Sequence, residues 1–248
     1  MATKLDRKGK RARWMKAQAA ESGYARSLRA LARQVGMIVK GIAPDGALSD
    51  PTPLIQTLKQ YAQTIEPWAR SVAAFMVADV ARRDKAMWAK TTKEMSSGLR
   101  REIMEAPTGE TFRKLQEQQV GLIKSIPLEA AQRVHDLAQE AMVASVRPGD
   151  IAKKILETEA VSASKARVIA RTEVARAANN LIQARSEYAG SEGYIWRTSG
   201  DLDVRDSHRE MEGKYVRWSH PPTLDGLTGH AGTLPNCRCF AEPIFPNE

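Results

Sequence analysis

The chain has 248 residues, of which 42% are hydrophobic and 6% aromatic, and its net charge is +9 at pH 7. This content is enough for a real core in one large or two ordinary domains, and the abundance of Ala favours closely packed helices. The longest apolar run, 72–78, is far too short to span a bilayer, and no apolar stretch follows the basic N-terminus as a secretory signal requires. With two cysteines at this spacing we expect no disulfide framework and synthesis in a reducing cytoplasm. From the short apolar run we expect no membrane contact.

The positive charge is concentrated at the N-terminus. Residues 1–40 hold 11 Lys and Arg against 2 Asp and Glu, whereas the other 208 residues hold 27 of each sign. A basic arm on a neutral body is typical of a protein with an anionic partner. We predict a flexible basic arm over residues 1–23 that binds double-stranded DNA, with a solvated tail as the alternative. Its cationic side chains are Lys4, Arg7, Lys8, Lys10, Arg11, Arg13 and Lys16.

Helical periodicity follows the arm, because apolar residues recur three or four positions apart. The segment "APDGALSDPTP" predicts a loop, and Pro67 fits the first turn of a long helix that ends near "SSG". Two shorter helices are expected around 109–123 and 127–145, the second opened by Pro127. Residues 24–125 are therefore predicted to form a helical region.

A further helix is predicted by "SASKARVIARTEVARAANNLIQARSEYA", with Ser162 or Ser164 as its cap. Its apolar stripe is mostly Ala and Val, so another backbone can approach closely. An exposed ion pair on a helix contributes only about 0.3–0.5 kcal/mol. We therefore predict that Glu173 is buried or half-buried against the C-terminal module and pairs with an arginine. The candidate partners are Arg171, Arg176 and Arg205.

The helical pattern stops after Gly190. "YIWR" and "KYVRW" predict short strands, and "PPTLDGLTGHAGTLPN" is a loop by composition. The predicted fold class is therefore α+β, with the N-terminal helical region followed by a small, irregular α+β domain over residues 126–248.

The stretch "DLDVRDSH" collects carboxylates beside a histidine. Such a group is typical of a general base or of a contact to a metal ligand, but an Asp-rich turn explains it equally well. A metal-dependent hydrolase or nuclease that uses Asp203, Asp206 and His208 is therefore one alternative function. The chain has no Walker loop, no G-x-S-x-G, no H-E-x-x-H and no Cys-x-x-Cys motif to support it.

An ordered set of residues runs through the last third of the chain. It begins with Arg-Thr-Glu on a helix, continues through Asn, Trp, Asp-x-Arg-x-x-His and Gly, and ends in Asn-Cys-Arg-Cys followed by Pro. The residues are Arg171, Thr172, Glu173, Asn180, Trp196, Asp203, Arg205, His208, Gly213, Asn236, Cys237, Arg238, Cys239 and Pro243. Over roughly residues 130–245 this order resembles the phage Mu protein F-like head morphogenesis family, minor capsid proteins of tailed bacteriophages.

The resemblance implies a structural role in head assembly, DNA packaging or ejection, without catalysis. It makes residues 126–248 a Mu F-like domain, in which Arg171, Glu173, Asn180, Asp203 and Arg205 are residues of a structural motif. Portal and capsid proteins are the implied partners. The implied location is the virion interior, near the portal, after assembly in the host cytoplasm. A DNA-binding protein without a capsid role is a third alternative.

Cys237 and Cys239, two positions apart, point to the same side of an extended segment. A disulfide at this spacing would close a small, strained ring. Two thiolates can instead hold a structural Zn²⁺; the family pattern implies His208 as a third ligand, and His230 or Asp206 would complete the site. The alternative is two small buried side chains that seat the C-terminal strand.

Overall fold

The computed structural model describes residues 19–143 and 148–246. Helices occupy the first three quarters of this chain and short antiparallel strands follow, which confirms the α+β fold class. The helices are α1 (Glu21–Ile42), α2 (Thr52–Thr64), α3 (Glu66–Thr91), α4 (Ser97–Glu105), α5 (Gly109–Val143), α6 (Pro148–Leu156), α7 (Thr158–Tyr188) and the single-turn α8 (Asp206–Arg209). The strands are β1 (Gly193–Arg197), β2 (Tyr215–Arg217), β3 (Thr223–Leu224), β4 (Leu227–Thr228) and β5 (Phe240–Ile244).

The main sheet has three antiparallel strands in the order β2-β1-β5. In its register, Tyr194 lies opposite Val216 on one side and opposite Pro243 on the other. Pro243 is tolerated because β5 is an edge strand, where a missing backbone N–H removes no ladder bond on the open side. Strands β3 and β4 form a separate hairpin. Both predicted strands, "YIWR" and "KYVRW", are thus present as β1 and β2.

Backbone contacts group the described residues into two compact units. The strand-containing unit comprises residues 19–21, 75–115 and 171–246, and the helical unit comprises residues 22–74, 116–143 and 148–170. Helices α3, α5 and α7 each contribute residues to both units. The domain boundaries drawn from the sequence, at residues 23/24 and 125/126, stay predictions.

The core of the helical unit follows from helical periodicity. On α1, Leu28, Leu31 and Val35 are at most 2% exposed, and on α2 Leu54 and Leu58 are fully buried. These positions recur three or four residues apart, which places each set on one face of its helix. Among the helices that the structure describes, not one combines the length and the apolar character needed to cross a membrane.

Helix α5 runs without interruption through Pro127, so the prediction of two helices separated there is wrong. Proline removes one backbone hydrogen bond inside a helix and costs about 3 kcal/mol. The flanking Ile123, Ile126 and Ala130 are at most 3% exposed. Burial of an Ile side chain contributes about 1.5–3 kcal/mol, so packing on both sides of the proline offsets the lost bond.

Two helix starts also differ from the predictions. Helix α7 begins at Thr158, so Ser162 and Ser164 lie inside it and cap nothing. The residues before them, "TEAV", include good helix formers that extend the helix by a turn. Helix α4 was not predicted; the "SSG" expected to end the long helix instead starts α4, and α3 ends earlier, at Thr91. The Ser96 hydroxyl accepts a hydrogen bond from the Leu99 N–H at 3.3 Å.

The strand-containing unit has an aromatic core with a buried ion pair. Tyr194 packs on Trp218 with ring centroids 4.4 Å apart. The guanidinium of Arg185 donates through Nε to Asp84 Oδ2 at 2.7 Å and through Nη1 to the Ile103 carbonyl at 2.9 Å. Burial raises the pKa of Asp84 to about 6 despite the opposing charge of Arg185. This pair fixes α7 to α3 and α4 inside the unit.

Candidate metal centre

One histidine and two cysteines, the residue types that commonly bind zinc, lie close together in the strand-containing unit. His208 lies on α8, and Cys237 and Cys239 immediately precede β5. They are 2%, 3% and 2% exposed, respectively. His208 Nδ1 is 3.3 Å from Cys237 Sγ and 3.6 Å from Cys239 Sγ, and the ligand atoms of all three residues lie within 4.8 Å of one another. The structure therefore brings together the three residues that the sequence offered as metal ligands. We call them the His–Cys–Cys cluster.

The backbone before β5 explains why both cysteines point inward. Asn236 has a φ of 56°, in the left-handed region that Asn tolerates better than most residues, and its N–H donates to Thr172 Oγ1 at 3.0 Å. The segment then extends, so that alternate side chains face opposite sides. Arg238 points outward between the cysteines, where its Nη2 lies 3.0 Å from Asp201 Oδ2 and 3.1 Å from Asp203 Oδ2.

His208 presents one nitrogen to the sulfurs and buries the other. Its ring packs edge-on against Trp196, with centroids 5.7 Å apart and an interplanar angle of 82°. Nδ1 faces the cysteines, whereas Nε2 is buried and has no hydrogen-bond partner in the described part of the chain. The sulfurs are thus the polar neighbours of this imidazole.

The two neighbouring thiols shift each other's pKa in opposite directions. The hydrogen bond from the Cys239 thiol, helped by contact with His208, lowers the pKa of Cys237. The same contact with Cys237, together with burial, raises the pKa of Cys239. Two cysteine sulfurs and an imidazole are the donor types that bind zinc and related divalent metals.

The residues considered for a fourth ligand lie elsewhere. His230 Nδ1 is 3.2 Å from Tyr194 Oη, and its burial lowers its pKa. The side chain of Asp206 is 88% exposed and pairs with Arg209 at 3.0 Å. In residues 19–143 and 148–246, no fourth His, Cys, Asp or Glu joins the cluster.

The residues of the alternative hydrolase do not converge. Asp203 is 82% exposed and pairs with Arg238, and Asp206 is equally open to solvent, whereas His208 is buried against sulfur. A carboxylate that acts as general base must lie within hydrogen-bond reach of its partner. Among the described residues, neither aspartate forms a hydrogen bond or an ion pair with His208.

Glu173 is 4% exposed and accepts a hydrogen bond from Arg176 Nη1 at 2.6 Å. Arg176 is therefore its partner among the three candidates. The same guanidinium donates through Nε and Nη2 to the Thr233 carbonyl at 3.1 and 2.9 Å. This chain of contacts fixes α7 to the loop that precedes the cysteines.

The other residues of the predicted motif make contacts of their own. Arg205 Nη2 donates to the Pro235 carbonyl at 2.6 Å, next to the cysteine segment. Arg171 Nε lies 3.6 Å from Glu21 Oε1. Gly213 has a φ of 82°, which favours glycine. Asn180 is half-buried on α7.

Asn179, which the sequence did not single out, holds β5 against α7. Its Oδ1 accepts from the Ala241 N–H at 3.1 Å, and its Nδ2 donates to the Ala175 carbonyl at 2.9 Å. A Cβ on Gly232, whose φ is 76°, would lie 2.0 Å from Asn179 Nδ2. Helical spacing is the signal that could have found it, because Asn179 lies one turn after the buried Ala175.

The seven cationic residues of the predicted arm, Lys4, Arg7, Lys8, Lys10, Arg11, Arg13 and Lys16, lie outside the described residues. DNA binding by the arm therefore stays a prediction from charge alone.

A family model described as "Phage Mu protein F like protein" matches residues 132–242. This stretch includes α7, β1, β2 and the whole His–Cys–Cys cluster. The match confirms the resemblance to the phage Mu protein F-like head morphogenesis family.

A curated relative from Haemophilus influenzae, named "Uncharacterized protein", is 38% identical over 58 residues. The aligned segment is 23% of this chain and 12% of that protein, so it spans only a small part of either. No solved structure matches the chain.

Proposed function

We propose that this protein is a minor capsid protein that acts in head morphogenesis of a tailed bacteriophage. The observation that carries the proposal is the family match over residues 132–242. The family is one of phage head proteins, and head assembly, DNA packaging and ejection are the steps in which such a protein acts.

The contacts of the motif residues Glu173 and Arg205, and of Arg176 and Asn179 beside them on α7, support a structural role. Arg176 and Arg205 donate to backbone carbonyls, and Glu173 is occupied by Arg176. Asn179 bonds the backbone of two elements. Side chains that are engaged in this way hold the fold together and are poorly placed to act on a substrate, so an assembly role suits the geometry better than catalysis.

We place the protein inside the capsid, near the portal, with portal and capsid proteins as partners and packaged DNA as the target of the basic arm. The charge distribution supports this placement, because the whole excess of +9 lies in the first 40 residues. A cationic arm neutralises phosphates without reading sequence.

A conditional nonsense mutation in the phage that encodes the protein tests the function directly. Under non-permissive conditions we expect a large loss of infectious particles, with empty or aberrant heads in electron micrographs. Growth on a suppressor host is the matched control. A normal yield of DNA-filled, infectious heads without the protein would refute the head morphogenesis role.

Mass spectrometry of purified virions tests the location. Peptides from the protein should co-purify with intact particles and with portal protein released from them. Their absence from virions, when they are present in the lysate, would contradict a minor capsid protein and would favour the DNA-binding alternative.

Binding to duplex DNA tests the arm. If four to six cations neutralise phosphates, the log–log salt slope should be roughly −4 to −5, and affinity should fall a few hundredfold or more between about 50 and 200 mM salt. Deletion of residues 1–16 should abolish most of this binding. A matched control replaces only the cations of this segment with Gln, and it should behave like the deletion. Equal affinity and slope after the deletion would show that the arm does not bind DNA.

A further inference from the structure

We propose that the His–Cys–Cys cluster binds one Zn²⁺ through His208 Nδ1, Cys237 Sγ and Cys239 Sγ, with a water molecule as fourth ligand, and that this zinc joins α8 to the segment before β5. The site does not depend on the head morphogenesis role, because its ligands and geometry belong to the chain itself.

The spacing of the ligand atoms fits a tetrahedral zinc ion. With Zn–S near 2.3 Å and Zn–N near 2.0–2.1 Å, tetrahedral angles place nitrogen and sulfur about 3.6 Å apart. The two distances from His208 Nδ1 are 3.3 and 3.6 Å. Shifts of a few tenths of an ångström, within the reach of side-chain rotation, would therefore complete the site.

The charge of the cluster also suits zinc. A Zn²⁺ ion with two thiolates and a neutral imidazole has no net charge, so the complex can be buried at low cost. Without a metal, His208 is buried with sulfur contacts on one nitrogen and no partner on the other among the described atoms. A metal on Nδ1 gives this imidazole a strong bond.

The fourth ligand comes from a small cavity beside the cluster. Its volume is about 20 Å³, and Asp201, Asp203, Arg205 and the three ligands line part of it. This volume admits about one water molecule. Both aspartates are engaged by Arg238 at 3.0 and 3.1 Å, so we assign the fourth position to water.

The zinc would join two segments that are far apart in the chain. His208 is 29 residues from Cys237 and 31 from Cys239. Helix α8 has only four residues, and a single turn has little stability of its own. A metal bond from His208 to the segment before β5 would hold this turn in place.

The experiment measures metal in the full-length protein purified from cells grown with added zinc. We expect one zinc per chain by mass spectrometry of the metal. X-ray absorption at the zinc edge should show two sulfur neighbours at about 2.3 Å and two nitrogen or oxygen neighbours at about 2.0–2.1 Å. Cobalt(II) exchanged into the site should give the intense visible bands of four-coordinate cobalt and a thiolate charge-transfer band.

Variants assign the ligands. His208→Gln, Cys237→Ser and Cys239→Ser should each lose the zinc. Two controls should keep it: His220→Gln, since His220 is exposed and bonded to Ser219, and Asp203→Asn, since Asp203 lines the cavity without being a ligand. Loss of zinc in Asp203→Asn would overturn water as the fourth ligand.

The absorption and cobalt spectra use the unaltered protein, so they decide the question even if the ligand variants do not fold. A folded wild-type protein with no stoichiometric zinc, or a zinc ion without sulfur neighbours, would overturn the proposal. Either result would leave the two cysteines as buried packing residues and would leave the head morphogenesis role untouched.

Discussion

The strand-containing unit and the helical unit differ in how they use buried polar side chains. Among the described residues, the helical unit buries three, Gln119, Thr158 and Ser162, within a core of leucine, isoleucine and alanine. The strand-containing unit buries ten around an aromatic core. They are Asp84, Thr92, Thr172, Glu173, Asn179, Arg185, Ser186, Ser191, Thr198 and His208.

This difference shows what each unit needs from its core. The burial of apolar side chains is non-directional, so a core of this kind accepts other apolar side chains of similar volume. Such a core is sufficient for helices, because a helix forms its backbone hydrogen bonds internally. Strands of two to five residues and long loops leave backbone groups that need partners from outside. Directional bonds from buried side chains supply these partners and select one geometry.

The largest effect should come from breaking the buried ion pair. Asp84→Ala should lower the free energy of unfolding by about 3–5 kcal/mol, because it leaves the buried guanidinium of Arg185 without its charge partner. Urea unfolding followed by circular dichroism measures the change. The double variant Asp84→Leu, Arg185→Met is the control and should recover most of the loss. If both variants were equally unstable, packing and not charge would explain the site.

Glu173→Ala should lower the free energy of unfolding by about 1.5–3 kcal/mol, the usual contribution of hydrogen bonds to charged groups. The effect is smaller than at Asp84 because the side chain of Arg176 is 33% exposed and can regain water. Glu110→Ala is the matched control, since the side chains of Glu110 and its partner Lys114 are both 70% exposed and removal of this pair should have no measurable effect. If the two variants lost equal amounts of unfolding free energy, the Glu173–Arg176 pair would contribute no more than an exposed ion pair.

Adjacent asparagines on α7 allow a sharper comparison. Asn179→Ala should cost about 1–3 kcal/mol, because it leaves the buried N–H of Ala241 without its acceptor. Asn180→Ala should have little effect, since Asn180 is half-buried. Amide hydrogen exchange at Ala241 should accelerate only in the first variant. The opposite ranking would show that Asn180 holds β5.

A volume-conserving substitution in the core of the helical unit should destabilise the protein less than the changes above. Leu58 is fully buried, and Leu58→Met, which keeps its volume, should cost less than about 1.5 kcal/mol. Leu58→Ala removes volume from the same site and should cost about 2–5 kcal/mol. Urea unfolding of both variants tests whether this core depends on volume alone. A large loss in the methionine variant would mean that the helical unit also requires one fixed arrangement.

Strands β1 and β2 were predictable from the sequence, because the residue patterns of "YIWR" and "KYVRW" are typical of short strands. Pro127 shows the limit of local rules, because the burial of Ile123 and Ile126 keeps α5 intact through the proline. Within the site, the spacing of Cys237 and Cys239 already indicated two sulfurs on one side. His208 entered through the family pattern, and no local rule places it beside the sulfurs.

The sequence by itself determined the α+β class, the apolar faces of α1 and α2, and the concentration of positive charge in the first 40 residues. These features depend on residues close together in the chain. Only the tertiary structure decided that Arg176 binds the Thr233 carbonyl, that Asn179 holds β5, and that His208 lies beside Cys237 and Cys239. Each of these depends on residues brought together from distant parts of the chain, where directional bonds select among several chemically equivalent partners.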